Sequence, residues 1–175
     1  MTALQIIVPA ELILDGAADI PKVGDRVDYA IQFYLSGWYE QCLPPEYSND
    51  VVVRVEQLNS GRPAPAWTDP YGQPHPKTYP MLLHGDGWCA YFSSPHLEHG
   101  MVQLTGSFEA DWPGVIPSEA MVAGTVTDRQ LITRTSSPDA DGRHTQGWVD
   151  SLGTMGEGQT GFQSGLVPAV PIPSD

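Results

Sequence analysis

The residue types best suited to chemistry gather between His84 and His99, where His84, Asp86, His96, Glu98 and His99 fall close together. Imidazole and carboxylate are common ligands of a divalent metal, and His96 and His99, three apart, could reach one ion from a single helical turn. His84 or Asp86 would complete a three-ligand site with a position left open for water, as a hydrolytic metal centre needs. The spacing is nevertheless foreign to the known zinc helices: His96-Leu97-Glu98-His99 matches neither His-Glu-x-x-His nor His-x-x-Glu-His. Histidines beside a turn closed by glycine ordinarily cap it or face solvent. Surface placement is therefore the first expectation, and a divalent metal held by His84, Asp86, His96 and His99 is its alternative.

Aromatic residues offer a second chemistry. Trp38, Tyr39, Trp67, Tyr71, Tyr79, Trp88 and Tyr91 crowd the middle of the chain, and a loop folded over a barrel mouth could make some of them a platform for a sugar, a base or a proline-rich peptide. Trp67, Tyr71, Tyr79, Trp88 and Tyr91 are the candidates for such a ligand surface, with core packing as the plainer explanation. Glu109 and Asp111 are paired acids at i and i+2, a spacing that puts both on one strand face. Such a pair can split its pKa values and do acid/base work, although the polar face of a strand is expected to be solvated.

Nucleophile and phosphate motifs are missing. The sequence has no Gly-x-Ser-x-Gly elbow, and neither Cys42 nor Cys89 has a histidine beside it. The glycine-rich run 153–161 carries no lysine, so it is not a phosphate-binding loop. Cys42 and Cys89 have no metal or redox spacing and read as two free thiols, with a single disulfide as the alternative. No catalytic residue is nominated, no cofactor is expected beyond the metal alternative, and the chain leans towards a non-enzyme.

The elements that would hold these residues are almost all strands. In 26–35, Val27, Tyr29, Ile31, Phe33 and Leu35 alternate with polar or small residues, which predicts a strand with one wet face. A β-branched strand follows at 51–58, and 4–14 is expected as another, interrupted or bent at Pro9. Residues 81–92 predict a hairpin about Gly85-Asp86-Gly87, whose glycines tolerate positive φ. Residues 101–112 alternate, and 120–135 predicts one long strand bent or bulged at Gly124. Helix is expected only at 94–100, where Ser94 is placed as N-cap, Pro95 as first helical residue and Gly100 as terminator. These elements predict an all-β fold: a small closed or partly open antiparallel barrel, OB-like as the first expectation, with an SH3-like barrel or a β-sandwich as alternatives.

Two stretches break the pattern. Residues 60–80 hold six prolines among Trp67, Tyr71 and Tyr79, a length of loop that usually packs on itself or binds something. Residues 136–175, rich in Gly, Ser, Thr and Pro, read as a largely flexible tail after a domain spanning 1–135.

Composition sets the partners. The 175 residues carry a formal net charge of −13, and the eight basic residues are scattered singly rather than in a stripe, which argues against direct nucleic-acid binding. No apolar run approaches the length of a membrane span, and the start of the chain lacks the basic region of an export signal, so a cytoplasmic protein is expected. The leading reading is a binding or accessory module that engages a protein or small ligand through 60–80 and its aromatics. A metal-dependent protein using His84, His96 and His99 is the second reading. The third is an acidic decoy for a basic, nucleic-acid-binding partner, whose capture would weaken with salt.

Overall fold

The computed structural model describes residues 4–35, 48–127, 130–138, 144–151 and 163–171, the last three stretches as backbone. Along the chain run β1 (Leu4–Val8), α1 (Ala10–Leu14), β2 (Arg26–Tyr34), β3 (Asn49–Gln57), β4 (Trp67–Thr68), β5 (Pro74–His75), β6 (Tyr79–His84), β7 (Cys89–Ser94), β8 (Gly100–Asp111), β9 (Met121–Val126), β10 (Gln130–Pro138), β11 (His144–Ser151) and β12 (Gln163–Pro171). The period-two pattern places Tyr29, Ile31 and Phe33 of β2 and Val51, Val53 and Val55 of β3 inward. The opposite face of β2 is not uniformly wet. Ala30 is buried there with Leu82, Cys89, Ile116 and Ala120 in a second apolar cluster.

Five strands close on themselves in the order β2–β8–β3–β6–β7 and back to β2. Every pairing in this ring is antiparallel except β2 with β7, which is parallel. The all-β barrel expected from the alternation is therefore present, closed through one parallel contact. Closure matters because it leaves no ring strand with an unpaired edge.

β2 and β8 run on past the ring and exchange partners as they do. β8 pairs with β3 through Gly106 and then with β1 at Phe108 and Glu109. β2 meets β7 at Gln32 and Phe33, and β9 between Arg26 and Ala30. β12 bridges β1 to β9. A second circuit, β1–β8–β2–β9–β12, thus continues the wall like a lower storey. One apolar interior serves both, with Ile6 and Val8 of β1 and Val122 of β9 in the same cluster as Val53, Met81 and Phe92. Phe33 sits at its centre, edge-on to Phe92 and Phe108.

Two residues make the seam between storeys possible. Asn49 is buried where β3 begins: the Gln5 N–H donates to its Oδ1 and its Nδ2 donates to the Gln5 carbonyl, both at 3.1 Å. The side-chain amide thereby imitates one rung of a strand ladder between β3 and β1. Opposite it, Gly106 lets the backbones close up, since a Cβ there would collide with the Tyr34 carbonyl and the Phe33 ring.

Three expectations are corrected. Residues 4–14 are interrupted at Pro9 but do not resume as a strand: Pro9, which has no N–H for a ladder, ends β1, and Ala10–Leu14 turns into α1 with Leu12 in the core. Residues 120–135 are two strands, β9 ending where Val126 bonds with Gly24 and Asp25, while Gly124 pairs in register with Val27. Residues 94–100 form no helix: β7 runs through Ser94, whose Oγ accepts the His96 N–H, and Gly100 opens β8 at φ +71°. Beyond residue 130 the backbone forms β10 to β12, so the composition boundary at 135 falls inside β10.

Candidate functional site

Between β3 and β6 the chain leaves the barrel as an arm. Every residue from 62 to 77 is exposed apart from Asp69 and His75. Its stem is the exchange of hydrogen bonds between Ala64 and Thr78, and its head is the β4–β5 ladder, Trp67 opposite His75 and Thr68 opposite Pro74. Asp69 fixes the turn. Its Oδ1 accepts the N–H groups of Tyr71 (2.9 Å) and Gln73 (2.8 Å), and its Oδ2 lies 3.2 Å from His75 Nε2. The Gln73 N–H above all, with help from His75 and the Tyr71 N–H, holds the Asp69 carboxyl below its ordinary pKa. Gly72 supplies the positive φ, +82°, that the turn requires.

The arm presents aromatic surface. Trp67 stacks on the His75 ring at 4.4 Å and 10° yet remains 56% exposed, and Tyr71 at the turn is 95% exposed. Ala66, Trp67, Thr68, Pro74, His75 and Pro76 line a shallow concavity of about 440 Å³. The other nominated rings lie in the walls. Tyr79 packs on the main core, Trp88 stands edge-on to Phe108 at 4.9 Å, and Tyr91 lies against the second cluster. Trp38, Tyr39 and Cys42 fall outside the described residues. Cys89 is a free, buried thiol, pushed up to about 11 by burial and then by Glu56 and Glu119.

The proposed metal ligands are kept apart. His84 closes β6 at the hairpin tip, opposite Cys89, while His96 follows Ser94, which pairs with Tyr79 at the hairpin's open end. Five residues of extended strand separate those ends by roughly 17 Å. His84 Nε2 instead lies 2.6 Å from Glu56 Oε2, Asp86 is exposed at the tip, and His99 Nδ1 lies 3.3 Å from Gln57 Nε2. Among the described residues no three His, Cys, Asp or Glu side chains are placed to share a metal ion.

A polar group that alternation alone treats as solvated turns out half-buried. Glu109 stands in a row across four strands, with Ile7 of β1 on one side and Gln32 of β2, then Tyr91 of β7, on the other. Burial, then Asp111 and Glu11, push its carboxyl up to about 7. One row away Ser107 pairs with Tyr34, whose hydroxyl pKa is raised by burial and by Glu109, Asp111 and Tyr91. Sequence reading missed this group because its members come from four strands far apart in the chain. Only the i, i+2 pair of Glu109 and Asp111 gave it away.

No helix among the described residues is long and apolar enough to cross a membrane. Comparison with family models, with curated proteins and with solved structures finds no match for this chain.

Proposed function

We propose that the chain is a non-enzymatic binding module that engages a protein partner through the arm at 62–78. The observation that carries this reading is the exposure of Trp67 and Tyr71 on a turn whose backbone Asp69 already fixes. Exposed aromatics on a pre-ordered support are efficient anchors, because little conformational freedom remains to be lost on binding. The concavity beside Trp67 is open and shallow, which suits a partner surface better than an enclosed small ligand. The arm's carboxylate is taken up by the Tyr71 and Gln73 N–H groups and by the His75 ring, so it serves the turn. A net charge of −13 favours a basic partner and disfavours nucleic acid. The buried free thiol of Cys89 suits a reducing, cytoplasmic setting.

Affinity capture from the source lysate tests the reading. A partner held by the wild-type chain and by a Val52→Ala control, but lost from a Trp67→Ala/Tyr71→Ala variant, supports it. Capture indifferent to the arm variant overturns it. The basic-partner element is checked separately, since capture should then fall steeply with rising ionic strength.

A further inference from the structure

The half-buried polar face around Glu109 holds more hydrogen-bond acceptors than the described residues fill. Ser107 is 2% exposed, and its Oγ has no partner. Gln5 Oε1 is likewise buried and unpaired. Ser107, Glu109 and Asp111 alternate onto one face of β8, with Tyr34 and Gln32 opposite on β2. Gln5 belongs to the β1 face that adjoins them. Asp111 and Glu11 act on Glu109 through their charges, and among the described residues the only acid–base contacts within ion-pair distance are His75 with Asp69 and His84 with Glu56. An unmet buried polar atom costs about 1–3 kcal/mol, and here two such atoms lie beside Glu109, which itself feels the charges of Asp111 and Glu11. That combination calls for something to fill it.

We propose that this face binds the cationic head group of an organic molecule that carries several N–H donors, a guanidinium or a primary ammonium. The argument is one of matching chemistry. A carboxylate and an amide oxygen only accept, a serine hydroxyl accepts as readily as it donates, and guanidinium and ammonium only donate. One donor-only cation would satisfy Gln5 Oε1 and Ser107 Oγ while pairing with Glu109, the next residue on that face of β8, within the field of Asp111 and Glu11. Glu109, Asp111, Tyr34 and Tyr91 are only partly buried, so each keeps some surface within reach of a ligand. The flanking tyrosine rings suit a cation as well. A metal ion is a poorer match, because no three of the acidic side chains converge at ligand distance.

Titration of the full chain with ethylguanidinium and with ethylammonium, followed by amide and side-chain chemical shifts, tests this. Saturable binding of at least one is expected, with shifts confined to the face formed by β1, β2, β7 and β8 and to the neighbouring α1. Ser107→Ala and Glu109→Gln should each weaken it by about tenfold or more, as loss of a charge-assisted hydrogen bond implies. Tetramethylammonium, a cation without N–H donors, should not compete. A Gly-Arg-Gly tripeptide tells the sources of the group apart: comparable binding points to a side chain of a polypeptide, and binding of the free cations alone points to a small molecule. Failure of both alkyl cations to bind, binding unmoved by the substitutions, or equal binding of tetramethylammonium would overturn the proposal. Asp111→Asn, at the more open end of the face, repeats the test should Glu109→Gln perturb the fold. The Trp67→Ala/Tyr71→Ala variant should bind these cations as the wild type does, so this proposal and the arm reading stand or fall separately.

Discussion

Asn49 shows how one side chain can stand in for backbone. Its amide gives and takes a hydrogen bond with the Gln5 peptide at the point where β8 exchanges β3 for β1. Asn49→Ala should leave a buried N–H and C=O without partners and destabilise the fold by about 2–4 kcal/mol, two unmet groups at 1–3 kcal/mol each with partial relaxation. Asn49→Asp keeps one of the two bonds and should fall between; chemical denaturation of the three chains gives the ranking, and an Asn49→Ala chain as stable as wild type would refute the seam's importance. Glu109 is a residue of the opposite kind, one that costs stability. Its folded pKa lies near 7 against 4.5 for an ordinary glutamate, because of burial, Asp111 and Glu11. The folded chain therefore holds this proton more tightly than the unfolded chain, and its contribution to stability, full below about pH 4.5, is lost as pH rises towards 7. Glu109→Gln should match wild type at pH 4.5 and gain up to about 3 kcal/mol by pH 8. Urea titrations at both pH values check this, and an equal gain at both would show that charge is not the cause.

The arm is the element whose order depends on the fewest atoms. Three of its turn contacts converge on the Asp69 carboxylate, and no core residue lies between 62 and 77. Asp69→Ala should therefore speed amide exchange at Tyr71 and Gln73 by at least about tenfold, while leaving exchange in β3 and β6 unchanged. Equal slowing or speeding throughout would mean that the arm is part of the barrel's cooperative unit. Legibility in sequence follows the same line. Elements carried by period-two alternation, β2, β3 and β8, and the hairpin marked by Gly85-Asp86-Gly87, could be read because their signal is local. Residues 10–14 could not: Ala-Glu-Leu-Ile-Leu is apolar enough for a strand, and only the lack of a ladder partner after Pro9 decides for helix. The histidines failed for a related reason, since distance along a hairpin grows with every residue from its tip, and His84 and His96 lie at opposite ends. Of the Glu109 face, spacing marks only the Glu109–Asp111 pair, because cross-strand register is what joins Ile7, Gln32 and Tyr91 to it.

At the scale of the whole molecule the open question is how far the barrel depends on its last third. β1 is almost wholly buried, with Leu4, Ile6, Ile7 and Val8 all inside, yet it meets β8 at only two register positions and β12 at five. β9 likewise lies between β2 and β12. Composition places the end of the domain at residue 135, whereas strand pairing carries the wall to residue 171. A chain ending at residue 135 decides between them. The upper ring β2–β8–β3–β6–β7 would keep every partner and should still unfold cooperatively. The lower storey would lose β12, exposing one edge each of β1 and β9, and exposed edges invite pairing between copies. The expected result is a lower melting temperature together with concentration-dependent association, seen by calorimetry and light scattering. A monomeric chain of unchanged melting temperature would make 136–175 a dispensable tail and return the boundary to where composition puts it.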